Sequence, residues 1–266
     1  MVDRLDKIDP QLARTLALPA LFAAAAFCIL IGLGVWQLQR LGQKQALLAA
    51  IAERSEAAPL QPPSQSGWAA LDPQGYDYRR VAVTGTFLHG SEQLVFRILE
   101  GGKANLSAAG FLVLTPLRLA GGETIIVNRG FVPQDLGNPA GRQAGQVTGE
   151  VTVTGLMRPP EPRNLFTPAD DPARGQWYTR DAIAMAAALN LSNAAPFTLD
   201  ADATPNPGGW PQGGHTALAL KNDHLSYALT WFGLALTLLG VFGAFVWKTT
   251  GAAARLRQER ATPGPL

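Results

Sequence analysis

Two long apolar runs, one near each end of the chain, enclose a region of mixed polarity. No charged residue occurs from Thr15 to Gln39 or from Leu225 to Trp247. At a rise of about 1.5 Å per residue, each run can cross the ~30 Å hydrocarbon core of a bilayer. We therefore predict two transmembrane helices, and the chain divides into segments 1–14, 15–39, 40–223, 224–247 and 248–266.

The region between the two runs contains short β-rich segments separated by Gly and Pro. Runs at 78–87 and 93–98 flank His89 and predict a hairpin, with His89 as a solvated turn residue. Runs at 111–119 and 123–129 flank Gly121 and Gly122 and predict a second hairpin.

Further elements are predicted closer to the second apolar run. Strands are expected at 150–156, 197–199 and 216–220, and a short helix at 182–189 with Thr179 or Asp181 as its cap. Prolines between 158 and 172 exclude regular structure from the interior of that segment. The predicted fold class is an α+β membrane protein, in which two transmembrane helices flank a mainly antiparallel β domain with a short helix.

Composition and motifs exclude several classes of protein. Hydrophobic residues make up 47% of the chain and charged residues 16%, and a net charge of +2 gives no basis for binding nucleic acid. A single cysteine, Cys28, excludes an internal disulfide and a Cys-Cys zinc site. No phosphate-binding glycine loop, His-x-x-x-His pair or nucleophile elbow occurs, so we predict that the protein is not an enzyme.

Basic residues flank the outer ends of both apolar runs. The amino-terminal tail has Arg4, Lys7 and Arg14, and the carboxy-terminal tail has Lys248, Arg255, Arg257 and Arg260. Because cytoplasmic flanks are enriched in Lys and Arg, we predict that both termini are cytoplasmic and that the central domain lies on the opposite side.

The two predicted spans bring several polar and aromatic residues to the same side of the membrane. His224, Tyr227 and Trp231 share one helix face, and Trp36 and Arg40 end the first span at a similar depth. Two interpretations are open. One is an interfacial belt of aromatic and basic side chains, and the other is a ligand site with an imidazole, a cation and an aromatic wall.

Five motifs, in this order, carry a resemblance to a known family. They are Gly-x-Trp-Gln-x-x-Arg at 34–40, Asn-Arg-Gly-aromatic-Val-Pro at 128–133, Gly-Leu-x-Arg-Pro-Pro at 155–160, Trp-Tyr-x-Arg-Asp at 177–181, and Asn-x-His-x-x-Tyr-Ala-x-x-Trp-Phe at 222–232. The chain resembles the surfeit locus protein 1 family over nearly its whole length. It departs from the family pattern at Gln43 and Phe131, where Trp is usual.

This resemblance implies a role in assembling haem-copper cytochrome c oxidase. Expected partners are the catalytic subunit of the oxidase, the machinery that makes haem a, and membrane lipid; the expected location is a bacterial inner membrane with a periplasmic domain. The expected cofactor is haem a, bound transiently. The resemblance carries an axial haem ligand over to His224, and our hypothesis adds Arg40 for a propionate and Trp36, Tyr227 and Trp231 to cover the ring.

The alternative function is an assembly scaffold that binds an oxidase subunit without holding a cofactor. Its working surface would contain polar and aromatic residues of the central domain, namely Asn128, Arg129, Trp177, Arg180 and Asp181. The same residues can instead be polar ties of the domain core. Both roles are open at the level of sequence.

Overall fold

The structure is a computed structural model that describes residues 10–99, 108–216 and 222–261. The chain divides into two compact units. Residues 1–47 and 220–266 form the first unit, which contains the apolar helices, and residues 48–219 form the second, which contains the β-sheet.

Four α-helices occur in the described part of the chain: α1 (Pro10–Glu56), α2 (Pro73–Tyr76), α3 (Ala182–Ala188) and α4 (His224–Ala261). The helices α1 and α4 include both predicted spans, and each is long and apolar enough to cross a bilayer. Both extend beyond the apolar runs, because the flanking residues are mostly Ala, Leu, Gln, Glu, Lys and Arg, which favour helix.

The helices α1 and α4 pack along a stripe of small residues. Gly34 is buried on α1, and Ala228 and Ala235 are each 1% exposed on α4. A Cβ atom at Gly34 would lie only 2.5–2.9 Å from ring carbons of Phe232. Glycine at this position therefore permits the close approach of the two helices.

Seven strands form one sheet: β1 (Arg80–Phe87), β2 (Gln93–Leu99), β3 (Ala108–Leu119), β4 (Thr124–Pro133), β5 (Glu150–Arg158), β6 (Gln176–Trp177) and β7 (Ala194–Ala201). The strand order is β1-β5-β7-β4-β3-β2-β6, and β1 also pairs with β3. Five strands, β1, β5, β7, β4 and β3, therefore close into a barrel. The pairs β2–β6 and β4–β7 are parallel and the others antiparallel.

The barrel domain has two hydrophobic cores that meet at β4. Ile125 and Val127 pack in the first core with Phe197, while Ile126 packs in the second with Met185 of α3. Successive side chains of a strand point to opposite faces, so β4 contributes to both cores. This position explains why β4 is buried from Thr124 to Val132.

Several predicted elements are confirmed with small changes in their bounds. The hairpin β3–β4 turns at Gly122, whose φ of +91° favours glycine. The strand β5 and the helix α3 form where the sequence predicted them. The cap of α3 is Asp181, whose carboxylate accepts hydrogen bonds from the amides of Ile183 and Ala184, both at 3.0 Å.

The predicted hairpin of β1 and β2 is wrong, because these strands do not pair with each other. Both pair with the same edge of β3, β2 along Ala108–Leu114 and β1 along Leu117–Leu119. A 3-10 turn at His89–Ser91 passes the chain from one position to the next. His89 is half-buried there and not solvated, since its Nε2 lies 2.8 Å from the carbonyl oxygen of Val147.

Two further differences from the sequence predictions concern the edge of the sheet and the end of the barrel domain. The strand β6 was not predicted, since it has only two residues and follows the proline-rich segment. Of the strand predicted at 216–220, Thr216 is not in a strand, and the remaining residues lie outside the described part of the chain.

Candidate functional site

The first residue of α4, His224, faces the buried side of α1. Its Nδ1 lies 2.8 Å from Oε1 of Gln37. Gln37 is only 9% exposed and follows Gly34 by three residues, so both lie on the α1 face that packs against α4. The close approach of the helices at Gly34 and Phe232 thus brings the amide within reach of the imidazole.

The amide of Gln37 is oriented with its oxygen, and not its NH2 group, towards Nδ1 of His224. An amide oxygen can only accept, so Nδ1 of His224 must be the donor. A neutral imidazole with a proton on Nδ1 has its free lone pair on Nε2. Among the described residues no hydrogen bond reaches Nε2, at the start of α4.

The other residues of the predicted ligand site are more dispersed. Trp36 and Tyr227 are 48% and 56% exposed, and Arg40 donates a hydrogen bond of 3.1 Å to Gln43. No hydrogen bond, ion pair or ring contact among the described residues joins Trp36 or Arg40 to His224. Consecutive helical residues are about 100° apart around the axis, so Trp36 cannot share the buried face of Gln37.

Trp231 lies on the α4 face that packs against α1. Its side chain is half-buried, and its Nε1 is buried without a hydrogen-bond partner in the described part of the chain. The sequence analysis missed Gln37, although a polar amide inside an apolar run, one turn after a glycine, is a signal for a helix-packing contact.

The described residues include no group of three or more His, Cys, Asp and Glu side chains that could hold a bare metal ion. In general, a single imidazole can ligate a metal whose other positions are filled by its own macrocycle, as in haem.

Inside the barrel domain, a polar network surrounds the buried carboxylate of Asp200. This residue is 3% exposed and accepts from Asn128 at 3.0 Å, from Arg180 at 2.8 and 2.9 Å, and from Thr216 at 2.9 Å. Asn128 also accepts from the amide of Gly130 at 3.1 Å. Buried charges require such partners, so Asn128 and Arg180 stabilise the core by donating hydrogen bonds to this carboxylate.

Glu161 extends the network from Arg180 towards the edge of the sheet. Its carboxylate accepts a hydrogen bond of 2.9 Å from the amide of Arg180 and pairs with the guanidinium of Arg97. Burial acts to raise the pKa of Glu161, but the charges of Arg180 and Arg97 outweigh it and hold the pKa below the ordinary value.

A second buried cluster contains two arginines and one glutamate. Arg142 forms a two-bond pair with Glu92, and Arg129 lies 4.0 Å from the same carboxylate and 4.8 Å from the ring centre of Phe87. Arg129 also donates to the carbonyl oxygen of Gly145.

Burial lowers the pKa of Arg129 to about 10; the charge of Glu92 acts in the opposite direction. Arg129 and Phe87 line a cavity of about 250 Å³.

The remaining predicted surface residues also have structural contacts. Trp177 is 2% exposed and donates from Nε1 to Oε1 of Gln93 at 2.7 Å, while Asp181 caps α3. Asn128, Arg129, Trp177 and Arg180 therefore lie in the interior of the barrel domain, where they leave little side-chain area for a partner.

These features define a class of protein in which a closed five-stranded barrel domain is joined at both ends to long apolar helices. The family model for the SURF1 family matches residues 24–236, which extend from within α1 to within α4. The chain belongs to the SURF1 family.

The chain is similar to proteins of the family from several eukaryotes. It is 40% identical to the SURF1-like protein of Monosiga brevicollis over 237 residues, 86% of this chain and 87% of that protein. It is 38% identical to the Surfeit locus protein 1 of Mus musculus over 240 residues, 86% of this chain and 75% of that protein. It is 38% identical to the Surfeit locus protein 1 of Homo sapiens over 215 residues, 77% of this chain and 69% of that protein.

Proposed function

We propose that this protein is an assembly factor for haem-copper cytochrome c oxidase that holds haem a at His224 and assists its transfer to the catalytic subunit. The observation that carries the proposal is the hydrogen bond from His224 Nδ1 to Gln37, which leaves Nε2 available as a ligand. Membership of the SURF1 family supports the role in oxidase assembly. The role requires binding and release and no catalytic turnover.

The residues near the start of α4 fit a haem in their chemistry. Imidazole is a common axial ligand, and bound haem supplies an iron that accepts its lone pair. Tyr227 and Trp36 offer exposed aromatic faces, and Trp231 has an unpartnered ring N–H. Among the described residues Arg40 has one side-chain hydrogen bond, to Gln43, so further N–H groups of its guanidinium could pair with a propionate.

We also propose that α1 and α4 span the membrane, with both termini on the cytoplasmic side and the barrel domain on the opposite side. The apolar lengths of the two helices support the anchoring, and the basic residues of both tails support the orientation. The proposed location is a bacterial inner membrane, which would make the domain periplasmic. The similar proteins named above are eukaryotic, so the proposed bacterial location rests on the predicted orientation and on the motif resemblance.

The test of haem binding is an absorption spectrum of the full-length protein, purified in detergent from cells that make haem a. We expect the wild-type protein to carry haem and His224→Ala to lose it or to show a shifted spectrum. His215→Ala is the matched control, because His215 is exposed and its ring contact among the described residues is an edge-on one with Phe131, at 6.2 Å. Equal haem content in all three proteins would contradict the assignment of His224.

The second candidate function is a scaffold that binds the oxidase catalytic subunit without a cofactor. An exposed turn in the barrel domain favours this function. Leu165 and Phe166 are 99% and 92% exposed at the tip of this turn. The turn is ordered, since Asn164 accepts from the amide of Phe166 at 2.8 Å and donates its own amide to Thr167 at 3.0 Å. Two adjacent exposed apolar side chains on an ordered turn are typical of a protein contact.

The scaffold function is tested by co-purification of the catalytic subunit with the double variant Leu165→Ser, Phe166→Ser. Loss of the subunit with haem content unchanged would support a contact separate from the haem site. If the protein never holds haem and co-purification of the catalytic subunit depends on this turn, the scaffold function replaces the haem-carrier proposal.

A further inference from the structure

We infer that Gln37 is the positioning residue of the haem site, since it holds the proton on Nδ1 of His224 and presents Nε2 to the iron. This inference rests on the proposed haem-binding function. It adds a residue of α1 to a site that the motif resemblance places on α4.

The burial of Gln37 gives the first argument. The residue is 9% exposed, and His224 provides its only side-chain hydrogen bond in the described part of the chain. A buried amide without a partner is unfavourable, because it has given up its hydrogen bonds to water. The hydrogen bond of 2.8 Å therefore fixes the orientation of the His224 ring relative to α1.

The chemistry of metal ligands gives the second argument. A ligating imidazole is oriented by the group that accepts a hydrogen bond from its other nitrogen, and loss of that group typically weakens metal binding about 10–100-fold. The partner here is a neutral amide, which raises the basicity of the ring less than a carboxylate would. A ligand of moderate strength suits a protein that must release its haem.

The positions of Gly34 and Gln37 give the third argument. Glycine at 34 removes the Cβ that would contact Phe232, so α1 and α4 approach one turn before the amide. The hydrogen bond is therefore built into the helix packing and does not require a ligand to form.

The experiment measures the tautomer of His224 before any haem is added. The full-length protein is labelled with nitrogen-15 histidine, held in detergent at about pH 8, above the ordinary pKa of histidine, and compared with Gln37→Leu and Gln37→Glu. The chain has three histidines, so His224→Ala assigns the signal. Gln39→Leu is the matched control, because Gln39 is exposed on the same helix.

We expect the wild-type protein and Gln39→Leu to show the Nδ1–H tautomer, and Gln37→Leu to show a mixture of both tautomers. In haem titrations Gln37→Leu should bind about 10–100-fold more weakly than Gln39→Leu. Gln37→Glu keeps an acceptor at the same place, so it should retain the Nδ1–H signal and lower the reduction potential of bound haem. The Nδ1–H signal, measured without haem, is the readout that a purely structural role would not change.

Three results would overturn the inference: an Nε2–H tautomer in the wild-type protein, an unchanged signal and affinity in Gln37→Leu, or an unchanged potential in Gln37→Glu. Failure of the proposed function is recognised separately, because His224→Ala would then hold as much haem as the wild-type protein. The tautomer measurement needs no haem and tests the role of Gln37 in either case.

Discussion

Polar groups are used differently in the helix pair and in the barrel domain. In the barrel domain, buried charges have several partners each; Asp200 alone accepts from Asn128, Arg180 and Thr216. In the helix pair, one neutral hydrogen bond joins the described side chains of α1 and α4, from His224 to Gln37.

This difference separates residues that stabilise the fold from a residue with capacity for a ligand. The guanidinium of Arg180 and the carboxylate of Asp200 are committed to each other inside the protein. The imidazole of His224 uses one nitrogen for packing and keeps the second for another partner. The contrast supports the proposal that a ligand binds at His224 and not at the buried residues of the barrel domain.

The largest expected effect is the loss of the arginine that neutralises Asp200. Arg180→Met should lower the free energy of unfolding by about 3–5 kcal/mol, because it removes the hydrogen-bonded cation of a buried carboxylate and leaves only the guanidinium of Arg158, at 3.8 Å. Urea unfolding of the full-length protein in detergent, followed by tryptophan fluorescence, measures the change. Arg174→Met is the control, since the side chain of Arg174 is 78% exposed and its change should stay within about 0.5 kcal/mol. Equal effects of the two variants would show that the network around Asp200 does not stabilise the barrel.

A smaller effect is expected when the helix pair is forced apart. Gly34→Ile places a side chain against the ring of Phe232 and should cost about 1–3 kcal/mol of stability. The His224 signal in nitrogen-15 spectra should also change to that of Gln37→Leu. Gly32→Ile has the same helix-propensity change with no neighbour within 4 Å of its Cβ, so it should retain the wild-type signal. An unchanged signal in both variants would mean that close packing does not position the amide.

The smallest effect concerns the acid side of barrel stability. The folded-state pKa of Glu161 lies below its ordinary value of 4.5, so its ionised form stabilises the fold above that pH. This contribution is lost as pH falls through the folded-state pKa. Glu161→Gln should therefore reduce stability by about 1 kcal/mol at neutral pH and weaken the decline below about pH 4.5. Parallel stability curves for the variant and the wild type would contradict the ion pairing with Arg97 and Arg180.

Local patterns were sufficient for α1, α3 and α4 and for most strands. The charge-free runs specify α1 and α4 because length and apolarity are properties of consecutive residues. The hairpin β3–β4 was predictable for the same reason, since its turn is encoded by adjacent glycines. The pairing of β1 with β5 was not predictable, because nothing near β1 in the sequence distinguishes β5 from its neighbour β2.

The sequence by itself determined the membership of the family, the two apolar helices and the choice of His224 as the residue to examine. Only the tertiary structure decided that Gln37 is its partner and that Asn128, Arg129, Trp177 and Arg180 are buried in the barrel domain. The physical reason is distance along the chain. A hydrogen bond between residues 37 and 224 depends on how two helices approach, and burial depends on strands that meet from remote parts of the sequence.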